Sequence, residues 1–175
     1  MTRAAIRARA LEQAGEPEPL TGALLDALNG YIDEGYLALC ADGLPETRQI
    51  EVSGGLAAID ELAVREVLSV FDALGGARAF ALGGGYLRVT PDGTYAVRLL
   101  ASPTPLAQDG DQPALPEEFH GALADYAAWR LLSTGGRAQQ LRAQHYAQCF
   151  ELAKSRFARR LDASRGPRRL RGRYA

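Results

Sequence analysis

The sequence has few of the residues that build disulfides, metal sites or membrane spans. Two cysteines occur in 175 residues. Cys40 and Cys149 lie far apart without a CxxC pair, which predicts two buried free thiols rather than a disulfide framework or a metal site. No apolar run approaches the roughly 20 residues that cross a bilayer, and the first ten residues lack the apolar core of a signal peptide. We therefore expect no membrane partner and synthesis in a cytoplasm.

The sequence also lacks a recognisable catalytic constellation. His120 and His145 have no HExxH-like neighbours, so packing or a hydrogen bond is the expected role of each. His145 and Cys149 are four residues apart and could pair as base and nucleophile, but a thiol on a helix face rich in Leu and Phe is usually inert. The glycines at 83–85 lack the GxxxxGK[ST] pattern and lead into a strand. The sequence predicts neither an enzyme nor a cofactor.

The charges are strongly segregated along the chain, although the net charge is only −1. From Lys154 to Ala175 there are nine Lys or Arg and one Asp, a net charge of +8. The preceding 153 residues therefore carry −9. An acidic body with a basic end suits a protein that docks an arm onto a neighbour or touches nucleic acid with its end.

Apolar periodicity predicts four helices, at about 2–14, 21–41, 117–133 and 137–162. The first is Ala-rich and stops at Gly15. Thr21 is the expected N-cap of the second, whose apolar residues recur every three or four positions. Pro116 and the acids at 117–118 favour a helix start. A short Gly-containing break follows the third helix, so the last two helices are expected to form an antiparallel hairpin.

The last predicted helix carries two apolar stripes. One contains Leu141, His145, Cys149 and Leu152. The other contains Tyr146, Phe150, Ala153 and Phe157. Two such stripes predict packing on two sides of the helix.

The middle of the chain, residues 45–101, has the two-residue period of strands. Residues 47–52 alternate polar and apolar side chains, 83–85 read as a hairpin turn, and Pro91 to Gly93 form a second turn before another strand. Residues 61–74 fit a helix or a strand, and their β-branched content favours a strand. We therefore predict an α+β, mainly α fold: a helical bundle with a small antiparallel β-meander inserted in it. One domain is expected over residues 1–162, followed by a basic arm at 163–175.

The basic arm admits three interpretations. The arm is a solvated end of the chain, or it docks in an acidic groove of a partner protein, or it contacts the phosphates of a nucleic acid. Leu170 and Tyr174 among the arginines favour the protein groove, because phosphate binding needs no apolar anchor.

One stretch gives the sequence a family resemblance: Leu115-Pro-Glu-Glu-Phe-His-Gly-Ala-Leu-Ala-Asp-Tyr-Ala-Ala-Trp-Arg-Leu-Leu132. It follows a Pro-containing linker and precedes a last helix with Ala143, Tyr146 and Phe150 in an Ala-x-x-Tyr-x-x-x-Phe pattern. Together with two N-terminal helices, a β-rich middle and a C-terminal extension, it resembles the head-to-tail adaptor proteins of tailed bacteriophages. The similarity covers most of the chain in layout, and about 115–157 in sequence.

The resemblance implies a structural virion protein in the neck, at the head-tail interface. It implies a ring of twelve copies beneath the portal, linking the DNA-filled head to the tail or its nozzle. The partners are then the portal protein, a downstream tail or nozzle protein, other copies of the chain, and DNA that passes the channel without sequence-specific binding. The alternative is a small nucleic-acid-binding protein that uses the arginine-rich tail.

The same resemblance assigns roles to two sets of residues. The packing roles fall on Phe119, Leu123, Tyr126, Tyr146 and Phe150. The portal-docking roles fall on Arg165, Arg168, Arg169, Leu170, Arg171, Arg173 and Tyr174.

Overall fold

A computed structural model describes residues 1–16, 22–59 and 63–165 of the chain. The described residues form four helices and seven strands, with antiparallel pairing throughout, so the fold is the mixed α and β type that the sequence predicts. The helices are α1 (Arg3–Ala14), α2 (Ala23–Leu39), α3 (His120–Ser133) and α4 (Arg137–Arg165). The strands are β1 (Leu44–Val52), β2 (Leu56–Ala58), β3 (Val64–Phe71), β4 (Ala77–Arg78), β5 (Ala81–Gly83), β6 (Tyr86–Arg88) and β7 (Gly93–Ala101).

These elements divide into two compact units. The first contains residues 1–41 and 103–157, and holds α1, α2, α3 and most of α4. The second contains residues 42–102, with all seven strands, together with the end of α4 from residue 158. Among the described residues, no helix is long and apolar enough to cross a membrane.

Both ends of α1 are closed by the residues around it. The Thr2 hydroxyl accepts a hydrogen bond from the Ala5 amide at 3.2 Å. Gly15 adopts the left-handed conformation at φ 76° and donates its amide to the carbonyls of Leu11 and Glu12. Because glycine has no Cβ, it adopts this conformation without strain and ends the helix where the sequence predicts.

The N-terminus of α2 differs from the prediction. The helix begins at Ala23, and the cap position is held by Gly22, which makes no side-chain capping bond. Gly22 has φ 60° and ψ −138°, a conformation that glycine adopts readily, so the backbone turn itself starts the helix. The expected N-cap, Thr21, lies outside the described residues, and the prediction that it occupies the cap position is wrong.

The helices α3 and α4 run antiparallel. A short 3-10 turn at Glu117–Phe119 follows Pro116 and leads directly into α3. Phe119 contacts Phe157, with ring centroids 5.2 Å apart, and Tyr126 contacts Phe150 at 4.8 Å. A later residue on the α3 side thus contacts an earlier residue of α4, so the two helices run in opposite directions. Both α1 and α2 also pack against α3.

The strands of the second unit form two antiparallel sheets, with strand orders β1-β7-β3-β4 and β2-β6-β5. Residues 64–71 are a strand, which is the alternative that the sequence favours. The predicted meander is wrong in its strand order, because β7 lies between β1 and β3. The reason is composition: β7 buries Tyr95, Val97 and Leu99, whereas β1 contains Pro45, which lacks the N–H of a central strand and belongs at an edge.

The smaller sheet contains the hairpin that the glycines predict. Strands β5 and β6 pair across Gly84 and Gly85, both with positive φ. Hydrogen bonds also join two turns of this unit. The Asp92 carboxylate accepts hydrogen bonds from the amides of Gly54 and Gly55 at 2.7 and 2.6 Å. The turn after β1 is thereby bound to the turn before β7.

Candidate functional site

Tyr126 is the point at which three helices meet. Its ring packs edge-on against Trp129 on α3 and Phe150 on α4. On the third side, α2 approaches so closely that a Cβ added to Gly35 would lie 2.9 Å from the Tyr126 Cγ. The Tyr126 hydroxyl accepts a bond from Arg130 at 3.0 Å, and Arg130 also pairs with Glu34 of α2. This residue therefore sets the spacing of α2, α3 and α4.

The other residues with an expected packing role lie on the same helical hairpin. Phe119, Leu123 and Phe150 are buried. Tyr146 is half-buried, packs against the small cluster of Ala14, Leu132 and Ala143, and donates its hydroxyl to the Gln13 carbonyl at 3.3 Å. Phe119, Tyr126, Tyr146 and Phe150 thus lie at contacts between helices, and Leu123 is buried on α3.

His120 is buried in the first turn of α3 and bonded on both ring nitrogens. Its Nε2 donates to the Leu115 carbonyl at 2.9 Å, and its Nδ1 accepts from the amino group of Met1 at 2.6 Å. The hydrogen-bonding role expected for His120 is therefore confirmed. These bonds hold the linker before α3 against the start of that helix.

The stripe on α4 that contains Cys149 is not buried as expected. Cys40 is buried, but Cys149 is half-buried, with its Sγ 3.7 Å from the Nε2 of the exposed His145. Leu141 and Leu152 on the same stripe are 62% and 58% exposed. The predicted packing of α4 on two sides is wrong for the single chain, because the stripe with Phe150 and Phe157 is buried whereas Leu141 and Leu152 on the other stripe are exposed.

A cavity of about 520 Å³ lies between α1, α3 and α4. Its charged lining is mixed, with three carboxyl groups and two guanidinium groups, so the lining has little preference for an anion or a cation. These groups belong to Glu117, Glu118, Asp125, Arg9 and Arg156. Cys149 and Leu152 form part of its wall. In the described part of the chain, no group of three or more His, Cys, Asp or Glu is arranged to hold a metal ion.

The basic charge of the C-terminal end begins inside α4. Arg156, Arg159 and Arg160 are exposed on the described helix, and Lys154 is half-buried. These residues belong to the basic segment that begins at Lys154. The residues that are expected to dock on a partner begin only at Arg165, the last residue of α4. Arg168, Arg169, Leu170, Arg171, Arg173 and Tyr174 lie outside the described residues.

A comparison with known families settles what kind of chain has this layout. The family model described as SU10 adaptor protein matches residues 1–172. The chain belongs to the SU10 adaptor family. This is a family of phage head-tail adaptors, so the resemblance noted in residues 115–132 and in the last helix is confirmed. No curated protein matches the sequence significantly.

Within this SU10 adaptor, replacing Asp125 by asparagine is expected to increase stability at neutral pH. Burial raises the pKa of the Asp125 carboxyl, against smaller lowering effects of the Gln13 hydrogen bond, Arg9 and His145. The pKa of this carboxyl is higher in the folded protein than in the unfolded chain. Its contribution to stability is therefore fully present below the unfolded pKa and is lost as pH rises through the folded pKa. Asparagine does not ionise, so the loss of stability at neutral pH does not occur, and its side-chain oxygen still accepts the 2.7 Å hydrogen bond from Gln13 Nε2. Urea midpoints measured between pH 3 and pH 8 test the effect.

The Asp72→Asn variant of the same adaptor is the control, with the opposite sign. The Gly76 amide, with help from Arg78 and the Leu74 amide, lowers the pKa of the Asp72 carboxyl. Its contribution to stability is present above the unfolded pKa and is lost as pH falls through the folded pKa, so Asp72→Asn is expected to lower the urea midpoint at pH 7 and to lower it less at pH 3. Equal shifts of the two variants at pH 7 would contradict both assignments.

Proposed function

We propose that this chain forms a ring of twelve copies beneath the portal vertex of a tailed phage and links the DNA-filled head to the tail or its nozzle. The observation that supports this function is the family match, which covers the helical part, the β-rich part and the basic extension together. The protein is then a structural component of the virion neck and not an enzyme.

The proposed ring uses residues 1–162 as one adaptor domain. Its helices form a bundle and pack side by side around the ring, and the Tyr126 contacts keep α2, α3 and α4 at a fixed spacing within each copy. A rigid helical part of this kind suits a subunit that must repeat identically around an axis.

The basic arm is proposed to dock on the portal. Its residues are Arg165, Arg168, Arg169, Leu170, Arg171, Arg173 and Tyr174. Arginine forks pair with carboxylates in two-bond geometry, and Leu170 and Tyr174 supply apolar anchors that a phosphate contact would not need. The exposed Arg156, Arg159 and Arg160 extend the same basic character back along α4.

The acidic body is proposed to face the DNA channel. Residues 1–153 carry a net charge of −9. Because like charges repel, an acidic lining lets DNA pass without sequence-specific binding. A structure of the assembled ring with a basic lumen and outward-facing acids would exclude this role.

Removing the arm is expected to abolish stable binding to the portal. The test compares the full chain with a chain cut after Leu161, each mixed with purified portal and examined by electron microscopy. A third sample replaces Arg168, Arg169, Arg171 and Arg173 by glutamine, which keeps the length of the arm but removes its charge. We expect portal-bound density only with the full chain.

Two outcomes would contradict the docking role. Equal portal binding by the cut chain would remove the arm from the interface. Binding of the full chain to duplex DNA of random sequence, at least as tight as binding to the portal and steeply weakened by added salt, would instead support the nucleic-acid-binding alternative. Far-ultraviolet circular dichroism of all three samples shows that each is folded.

A further inference from the structure

Two helices of the first unit carry opposite charges. Helix α2 contains Asp26, Asp33 and Glu34 and no Lys or Arg, a net charge of −3. From Arg137 to Phe157, α4 contains four cations and one anion, a net charge of +3. The cations are Arg137, Arg142, Lys154 and Arg156. Separate helices of one compact unit thus carry complementary charges.

The outward face of α2 combines charge with an exposed leucine. The helix buries the side chains of Leu28, Ile32, Tyr36 and Leu39. At 3.6 residues per turn, Asp26, Gly30 and Leu37 fall on the opposite side. Leu37 is 54% exposed, and the space around Gly30 is open. Asp33 is already paired with Arg3, and Glu34 with Arg130, so Asp26 is the acid that stands apart from these ion pairs.

The outward face of α4 has the matching composition. The helix buries Ala143, Phe150 and Phe157, which places Leu141, Gln148 and Leu152 on the opposite side. Both leucines are more than half exposed. Arg137 and Arg156 are exposed near the two ends of this stretch. Apolar side chains with charges around them are the usual composition of a protein interface.

We infer that the outward face of α2 in one copy packs against the outward face of α4 in the next copy. The two faces differ, so the contact is head-to-tail, and repeating it produces a closed ring when the rotation between copies closes. Leu37 then lies near Leu141 and Leu152, and Asp26 supplies the charge that Arg137 and Arg156 oppose. This inference rests on the proposed ring and names the two surfaces that form it.

The experiment uses two full-length variants with matched changes of three charge units. The first reverses α2 with Asp26→Lys and Gly30→Lys, since an added side chain at Gly30 meets no atom within 4 Å. The second reverses α4 with Arg137→Glu and Gln148→Glu, both at exposed positions. Each variant alone is expected to stay monomeric, because its two faces now have the same sign.

Mixing the two variants in equal amounts is expected to restore assembly to at least half of the wild-type level. Each reversed α2 then meets a reversed α4, and each native α2 meets a native α4, in an alternating ring. The oligomer is measured by sedimentation velocity over rising protein concentration, and by counting copies on purified portal by electron microscopy. Glu12→Lys combined with Arg88→Glu, two exposed sites that belong to neither helix face, is the control that retains wild-type assembly.

The outcomes separate this inference from the proposed function. Assembly of either variant alone to the wild-type level, or no recovery of assembly in the mixture, contradicts the α2–α4 contact. If the wild type still binds the portal in that case, the adaptor function is not contradicted. Recovery in the mixture by a protein that does not bind the portal contradicts the adaptor function and supports the contact. A wild-type chain that stays monomeric at every concentration and on the portal contradicts the contact.

Discussion

Replacing Phe150 by alanine is expected to lower the free energy of unfolding by about 3–5 kcal/mol. The side chain is 1% exposed, and its ring lies edge-on to Tyr126 with centroids 4.8 Å apart. The substitution empties a buried site between α3 and α4 and removes an aromatic pair worth about 0.5–1.5 kcal/mol beyond its area. Urea unfolding followed by circular dichroism measures the change.

Leu152→Ala is the matched control on the same helix. Leu152 lies two residues further along α4 on the exposed stripe, so its truncation in the free chain is expected to change stability by no more than about 0.5 kcal/mol. A loss below about 1 kcal/mol for Phe150→Ala, or equal losses for both variants, would show that the α3–α4 contact contributes little to stability.

Adding a single methyl group at Gly35 is expected to destabilise the protein by up to about 2 kcal/mol. The new Cβ of Gly35→Ala would lie 2.9 Å from Cγ and 3.0 Å from Cβ and Cδ1 of Tyr126. These atoms lie near the backbone of α3 and cannot swing aside, so α2 must move away from α3. Overpacking of this kind costs about 1–3 kcal/mol, and the gain of about 1 kcal/mol from replacing glycine by alanine inside a helix offsets only part of it. Thermal unfolding and urea unfolding both report it.

The same helix supplies the control for Gly35. A Cβ added at Gly30 meets no atom within 4 Å, so Gly30→Ala is expected to stabilise the protein by about 0.5–1 kcal/mol. The two substitutions make the same chemical change five residues apart and differ only in what lies nearby. Stabilisation by both would mean that α2 is free to move relative to Tyr126.

The sequence predicts the helices well because their signals are local. Gly15 ends α1 through its own left-handed conformation, and Pro116 with Glu117 and Glu118 precedes α3 as a helix start requires. The start of α2 shows the limit of such signals. The sequence predicts a cap by the side chain of Thr21, whereas Gly22 holds the cap position, and the identity of the residues alone does not decide between a side-chain bond and a backbone turn.

The order of the strands depends on pairings between distant residues. Strand β1 pairs with β7 rather than with the strands that follow it in the chain. Alternating polar and apolar side chains and glycine turns predict where each strand lies in the sequence, but they do not predict which other strand it pairs with. The apolar content of β7 and the proline in β1 are the features of the sequence that favour a central and an edge position, respectively.

The candidate site was predictable to a similar extent. The family resemblance assigned packing roles to Phe119, Leu123 and Phe150, and the structure buries all three. Periodicity identified the stripe of Leu141 and Leu152 as apolar, but an apolar stripe does not show whether its own chain or another molecule covers it. This explains why the sequence predicted buried side chains where the single chain exposes them.

The pairing of β1 with β7 has a consequence for how chains of this family can diversify. Leu44, at the entry to the β-rich unit, lies opposite Ala101, at its exit. A segment whose two ends are neighbours is inserted into the chain as a loop is, regardless of how many residues it contains. Any replacement for residues 45–100 must therefore bring its own two ends together at the spacing of paired strands.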